Sequence, residues 1–237
     1  MYYDFFAKLE TTSITKIMIN RLNKFILSRI LTNHIKEKIK LLEIGHGRGL
    51  FAQIAKDSGK VDYYGIEPNK SLCSKAQSDG FNIKNMKIPP FPEDKKWKKF
   101  DTVFISHVLE HFVNYEVVMD VLNCIHNLLN ENGLFVLFFP DYLDYKEDYF
   151  VVDYSHEYIL VERRVKYLLI DCGFDIINTV RLRSCFKFPF NILIYPLHTI
   201  LKFIAGILYN LTGADIFFKI KITFGKNVLI ISKKSSD

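Results

Sequence analysis

Gly45, Gly47 and Gly49 alternate directly after the apolar run Ile39 to Ile44 and directly before Leu50 to Asp57, which has helical patterning. A strand that turns this tightly into a helix is the opening unit of an α/β sheet, and alternating glycines let the backbone pass close to a ligand. The unit recurs. Asp62 to Ile66 reads as a second strand followed by a helix over Ser71 to Ser78, and Asn82 to Met86 then enters a loop broken by Pro89, Pro90 and Pro92. Phe100 to Ser106 and Leu134 to Phe139 are two more buried-strand runs, flanking a helical stretch from Tyr115 to Leu129. Strands that read as continuous apolar runs between helices predict an α/β, Rossmann-like fold, with a mostly parallel sheet and helices on both faces.

The remaining pattern completes the sheet. Ile159 to Asp171 is helical, Gly173 is a stop signal, and Phe174 to Val180 with Val228 to Ser232 reads as a closing strand pair, for about seven strands. Residues 1–38 lack glycine and proline and carry helical spacing, so N-terminal helices are expected there. Between the last two strands, Ile194, Leu197, Leu201, Ile204, Leu208 and Leu211 form one apolar helical stripe. A length of 237 residues suits one domain. The expected organisation is N-terminal helices over 1–38, a core over 39–185 and 226–234, and a helical insertion over 186–225.

Charge and cysteines exclude several classes. Thirty-two Lys and Arg against 26 Asp and Glu leave +6, short of the concentrated basic face of a nucleic-acid binder, so no nucleic-acid partner is expected. Cys73, Cys124, Cys172 and Cys185 contain no C-x-x-C pair to hold zinc or a redox disulfide, which suits reduced thiols in the cytoplasm. The first ten residues do not read as a signal peptide. The uncharged run Phe188 to Leu201 is interrupted by Pro189 and Pro196 and ended by Lys202, too short to span a bilayer.

The glycine loop carries the chemistry. A dinucleotide fingerprint needs a third glycine where this chain has Leu50, which disfavours NAD or FAD. Glu43, just before the loop, is awkward for a phosphate but suits a ligand bearing an ammonium or sulfonium charge, and S-adenosylmethionine has both. Glu43 to Gly49 resembles motif I of the class I S-adenosylmethionine-dependent methyltransferases. Glu67, at the end of the second strand, matches the acid that binds the ribose hydroxyls in that family, and Asn85-Met86 before Pro89-Pro90-Phe91-Pro92 matches its adenine-side segment, with Asn85 in place of the usual acid. Phe100 to Phe112, which includes Leu109-Glu110-His111, is similar to the family's segment after the fourth strand, and Ser155-His156-Glu157-Tyr158 resembles its later His-containing segment. The resemblance implies S-adenosylmethionine as cofactor, held by Glu43, Gly45, His46, Gly47, Gly49, Glu67, Pro68, Asn85, Met86, Ser106 and His107. Ser106 to Leu109 stands where many nucleic-acid amino-methyltransferases carry a polar residue, Pro-Pro and an aromatic, which disfavours DNA base methylation.

His107, His111 and His156 are the candidate catalytic bases, each weighed against a structural hydrogen-bonding role. His107 to His111 formally matches H-x-x-E-H, two histidines one helical turn apart with a glutamate as base, but it lies within a segment the resemblance already explains, so no metal is expected. Tyr2 and Tyr3 resemble a leading aromatic segment that closes over the cofactor, but packing on the core is the more economical reading. The 194–211 stripe has three readings: core cover or substrate lid, homodimer interface, and a surface helix in peripheral contact with a membrane. The expected function is O-methylation of a small polar acceptor such as a capsule or surface-glycan sugar, a nucleotide-activated sugar or a phosphate-like precursor. The alternatives are N-methylation, a non-catalytic cofactor-binding protein and a peripheral membrane protein.

Overall fold

The computed structural model describes residues 13–92, 94, 97, 99–150, 153–183, 190–223 and 225–235. Its strands are β1 Ile39–Ile44, β2 Val61–Ile66, β3 Asn82–Lys84, β4 Phe100–Ser106, β5 Leu129–Pro140, β6 Phe174–Arg183 and β7 Lys226–Lys234. They form one sheet in the order β3-β2-β1-β4-β5-β7-β6. Pairing is parallel from β3 to β5, and β7 is antiparallel to both β5 and β6. The helices are α1 Ser13–Thr32, α2 Leu50–Asp57, α3 Lys70–Ser78, α4 Tyr115–Leu128, α5 Tyr142–Tyr145, α6 Glu147–Phe150, α7 Glu162–Asp171, α8 Phe190–Thr212 and α9 Asp215–Thr223.

Side-chain alternation along the central strands divides the core in two. Leu42, Ile44, Val103, Ile105, Phe135, Leu137, Phe139, Val228 and Ile230 form one face, covered by Val118, Val121 and Leu122 of α4 and Val165 and Leu169 of α7. Leu41, Phe104, Val136, Phe138, Leu229 and Ile231 form the other, covered by Ile26, Leu27 and Ile30 of α1 and Phe51, Ala52 and Ala55 of α2. Burial on both faces explains why these strands read as unbroken apolar runs.

Three local features differ from the sequence expectation. Strand β5 starts ahead of the expected Leu134 and carries an irregularity: Phe100 pairs with Leu129 and Thr102 with Leu134, so residues 130–133 bulge out, with Asn132 at φ 63°. Trp97, flanked by Lys95, Lys96, Lys98 and Lys99 in a stretch that reads as a solvated loop, is buried and meets Tyr64 edge to face. Helix α8 runs through Pro196, as the stripe from Ile194 expects, but it packs by a different face from that stripe. His198 and Ala205 point inward, each 3% exposed, and Lys202 Nζ reaches the Asp144 carbonyl at 2.6 Å. Leu197, Leu201, Ile204 and Leu211 of the stripe are exposed. Among the described residues no helix is long and apolar enough to cross a membrane. Tyr2, Tyr3, Cys185, Lys95, Lys96 and Lys98 lie outside the described residues.

Candidate active site

The strand order reverses between β1 and β4, so the loops leaving their carboxyl ends diverge and open a crevice between them. The first wall is the glycine loop. Gly45, Gly47 and Gly49 all have left-handed backbones, at φ 84°, 55° and 73°. An added Cβ at Gly45 would fall 2.4 Å from Val108 Cγ2, which places this loop directly against the segment after β4. At Gly47 the same atom would meet nothing nearer than the Gly45 carbonyl at 4.0 Å, so that stretch of backbone is open to a ligand.

Glu67 ties this loop to the end of β2. Its Oε2 accepts from Gly47 N and its Oε1 from Asn69 N, both at 2.8 Å, and Asn69 in turn caps α3 by accepting from Leu72 N. Burial raises the Glu67 pKa, and the two amide hydrogen bonds oppose that rise without cancelling it. Asn85 donates both amide hydrogens, to the Glu67 carbonyl at 2.8 Å and the Pro68 carbonyl at 3.0 Å. That fixes the orientation of its amide and leaves Oδ1 as the acceptor. Met86 packs partly buried beside it on the core, and Ser106 closes β4 half-buried.

Glu43 and His46 point away from this surface into the protein. Glu43 lies opposite Gly65 of β2 and shares a sheet face with Tyr63, whose hydroxyl donates to Glu43 Oε2 at 2.5 Å. Gly65 makes room for this contact, since a Cβ there would sit 3.0 Å from the Tyr63 oxygen. The His46 Nδ1 is 2.7 Å from the same hydroxyl. Because the Tyr63 proton goes to Glu43, His46 donates its Nδ1–H and turns Nε2 toward Gly49. Burial pushes Glu43 up to about 8 and His46 down to about 4. Both are therefore neutral at pH 7, and their 3.9 Å approach is not an ion pair.

The opposite wall gathers all three candidate histidines around one carboxylate. His107 follows β4 in the left-handed region, at φ 53°, its amide bonded to the Phe138 carbonyl. Its side chain is 36% exposed, and its Nδ1 lies 3.2 Å from Glu110 Oε1 and 3.2 Å from the Tyr149 hydroxyl. Glu110 is fully buried. Burial raises its pKa most, but the His107 hydrogen bond and the charges of His107 and His111 outweigh this and bring it below the usual value. His111 Nδ1 is 3.1 Å from the Ser155 carbonyl, and His156 Nδ1 is 3.0 Å from the Tyr149 carbonyl. The His111 and His156 rings are 4.8 Å apart, and Tyr149 stacks on His156 at 4.6 Å. Glu110, Tyr149 and Tyr63 were not singled out as site residues in the sequence. Leu109-Glu110-His111 signalled Glu110; nothing local marks the two tyrosines.

A family model described as a methyltransferase domain matches residues 15–177. Among solved structures, a SAM-dependent methyltransferase from Archaeoglobus fulgidus is similar with a TM-score of 0.61 and 21% identity, over 91% of this chain and 94% of that one. Magnesium protoporphyrin IX methyltransferase from Synechocystis PCC 6803, with bound SAH, is similar at 0.62 and 13% identity, over 99% and 92%. Coclaurine N-methyltransferase bound to N-methylheliamine and SAH gives 0.62 and 16%, over 96% and 73%. At these identities the likeness is one of fold. No curated protein matches the sequence.

Proposed function

Since the chain belongs to the class I S-adenosylmethionine-dependent methyltransferases, we propose that it methylates a hydroxyl of a small polar metabolite and that His107 takes the acceptor's proton. The observation that carries this reading is the pair His107–Glu110. An accessible imidazole at the carboxyl end of β4 has a fully buried carboxylate 3.2 Å behind its Nδ1. Holding Nδ1–H on Glu110 leaves the lone pair on Nε2, the form a general base needs. A hydroxyl is a weak nucleophile until its proton leaves, and imidazole is the side chain suited to accept it near neutral pH.

S-adenosylmethionine, when bound, supplies a methyl carbon made electrophilic by its sulfonium. The residues present fit it. Gly47 leaves backbone open where a Cβ would otherwise stand, and each oxygen of Glu67 accepts one amide and keeps a lone pair for a ribose hydroxyl. Gly45, Gly49, Pro68, Asn85, Met86 and Ser106 complete the proposed set, with His46 supporting the loop from beneath. Glu43, buried beneath the loop and bonded to the Tyr63 hydroxyl, supports the loop from the protein side. The acceptor class is a surface-glycan sugar, its nucleotide-activated form or a phosphate-like precursor, met in the cytoplasm.

The test combines labelled cofactor with a metabolite extract, followed by identification of the methylated product. A methyl ether or ester is expected; a methylamine product would overturn the hydroxyl reading. His107→Ala should lower kcat by about 10² to 10⁴ with cofactor affinity unchanged in calorimetry. Glu67→Ala should weaken cofactor binding by about 1.5–3 kcal/mol. Full turnover in His107→Ala would show that another group takes the proton.

A further inference from the structure

Glu110, His111 and His156 bring one ligand-capable atom each to within 4.8 Å of one another, and we propose that they form a binding site for a divalent transition-metal cation of the zinc class. Three observations point the same way. Glu110 is fully buried, its Oε1 is engaged by His107, and its Oε2 has no hydrogen-bond partner among the described residues. A buried carboxylate oxygen without a partner is costly, and a cation is one of the few groups that satisfies it. Each histidine has Nδ1 against a backbone carbonyl, Ser155 for His111 and Tyr149 for His156. A carbonyl only accepts, so Nδ1 carries the proton in both rings and the lone pair sits on Nε2. That second contact is how metal-binding histidines are commonly oriented. Finally, His156 Nε2 stands 3.6 Å from Asp153 Oδ2, which places a second carboxylate beside the cluster.

Two imidazoles and one carboxylate are a ligand set for zinc and its neighbours, and they leave further coordination positions open. Bonds of about 2.0–2.2 Å hold such ligand atoms roughly 3–4 Å apart, so a group of ligand atoms within 4.8 Å of one another is close to that spacing. The site lies on the wall that Val108 joins to the glycine loop, beside His107. An acceptor hydroxyl entering there would meet the cation as well as the base.

The helical pairing weighed from the sequence, His107 with His111 one turn apart, does not form. His107 is left-handed and the segment closes as a single 3-10 turn, Leu109–His111. His156, 45 residues on from His111, takes the second imidazole position. No spacing rule within one helix reaches that far.

The site is tested without cofactor or acceptor, so its failure leaves the methyl-transfer reading untouched. Chelator-treated protein is titrated with CoCl2 followed by visible absorption, and with ZnCl2 followed by metal analysis after gel filtration. One cation per chain and cobalt bands displaced by zinc are expected. Glu110→Gln and His156→Ala should each weaken binding at least tenfold, while His126→Ala, on α4 outside the cluster, should bind as the parent does. Circular dichroism checks each fold, and His111→Gln replaces Glu110→Gln should the buried glutamate prove necessary for folding. No stoichiometric metal at micromolar concentration, or undiminished binding in folded His156→Ala and His111→Gln, would overturn the proposal.

Discussion

Glu43 is a neutral acid in the folded protein, and this gives its residue-scale contribution to stability an uncommon sign. Burial holds its pKa near 8, whereas in the unfolded chain it ionises near 4.3. Between those values the unfolded state binds fewer protons than the folded one, so this group's contribution is complete below about pH 4 and is lost as pH rises through 8. The slope is at most about 1.4 kcal/mol per pH unit. Glu43→Gln removes it, so urea denaturation from pH 5 to 8 should give a flatter stability profile for the variant than for the parent. Parallel profiles would mean that Glu43 is ionised in the fold. Individual residues were legible in the sequence to the extent that motif position reveals them. Glu67 was placed by its position at the end of the second strand, and it does reach the glycine loop. That Glu43 faces Tyr63 was not legible, because it depends on β1 and β2 being adjacent in one register and on Gly65 leaving space.

Elements were more legible than contacts. The five parallel strands and α2, α3, α4 and α7 fall within a few residues of where apolar runs and their breaks put them, since burial on both sheet faces leaves a strong pattern. Helix α8 shows the limit. Its apolar periodicity identified a helix but not the face that packs, because Lys202 and His198 point inward on the strength of local partners such as Asp144. Apolar residues at Leu201 and Ile204 then stand exposed, 37% and 46% accessible. A double Leu201→Glu, Ile204→Glu change should therefore leave the fold intact and alter cofactor affinity by less than threefold, under about 0.7 kcal/mol. Calorimetry with S-adenosylmethionine checks this; a folded variant that loses the cofactor would place α8 in its site.

At the scale of the whole molecule the two ends of the sheet have different duties. The carboxyl ends carry the crevice, while the amino ends are tied together by Asp101, which accepts from Lys36 Nζ at 2.5 Å, Lys40 N at 2.9 Å and Asn130 Nδ2 at 2.9 Å. Burial alone would raise its pKa, but these donors together bring it below the ordinary aspartate value. Its contribution is therefore present above about pH 4 and lost as acid protonates it in the fold. Asp101→Ala should cost about 1–3 kcal/mol in urea denaturation at pH 7, with cofactor affinity unchanged. Equal stability would assign these contacts to the solvent-screened kind. The position of β7 has a consequence of another sort. It lies between β5 and β6 and pairs with both, yet it is the last of the seven strands in chain order, after α8 and α9. During synthesis β6 thus emerges without its partner and waits while more than 40 further residues are added. Until β7 arrives, β5 presents an open edge, which is the surface through which nascent chains pair wrongly with one another. Half-made molecules of this protein are where chaperone demand should concentrate.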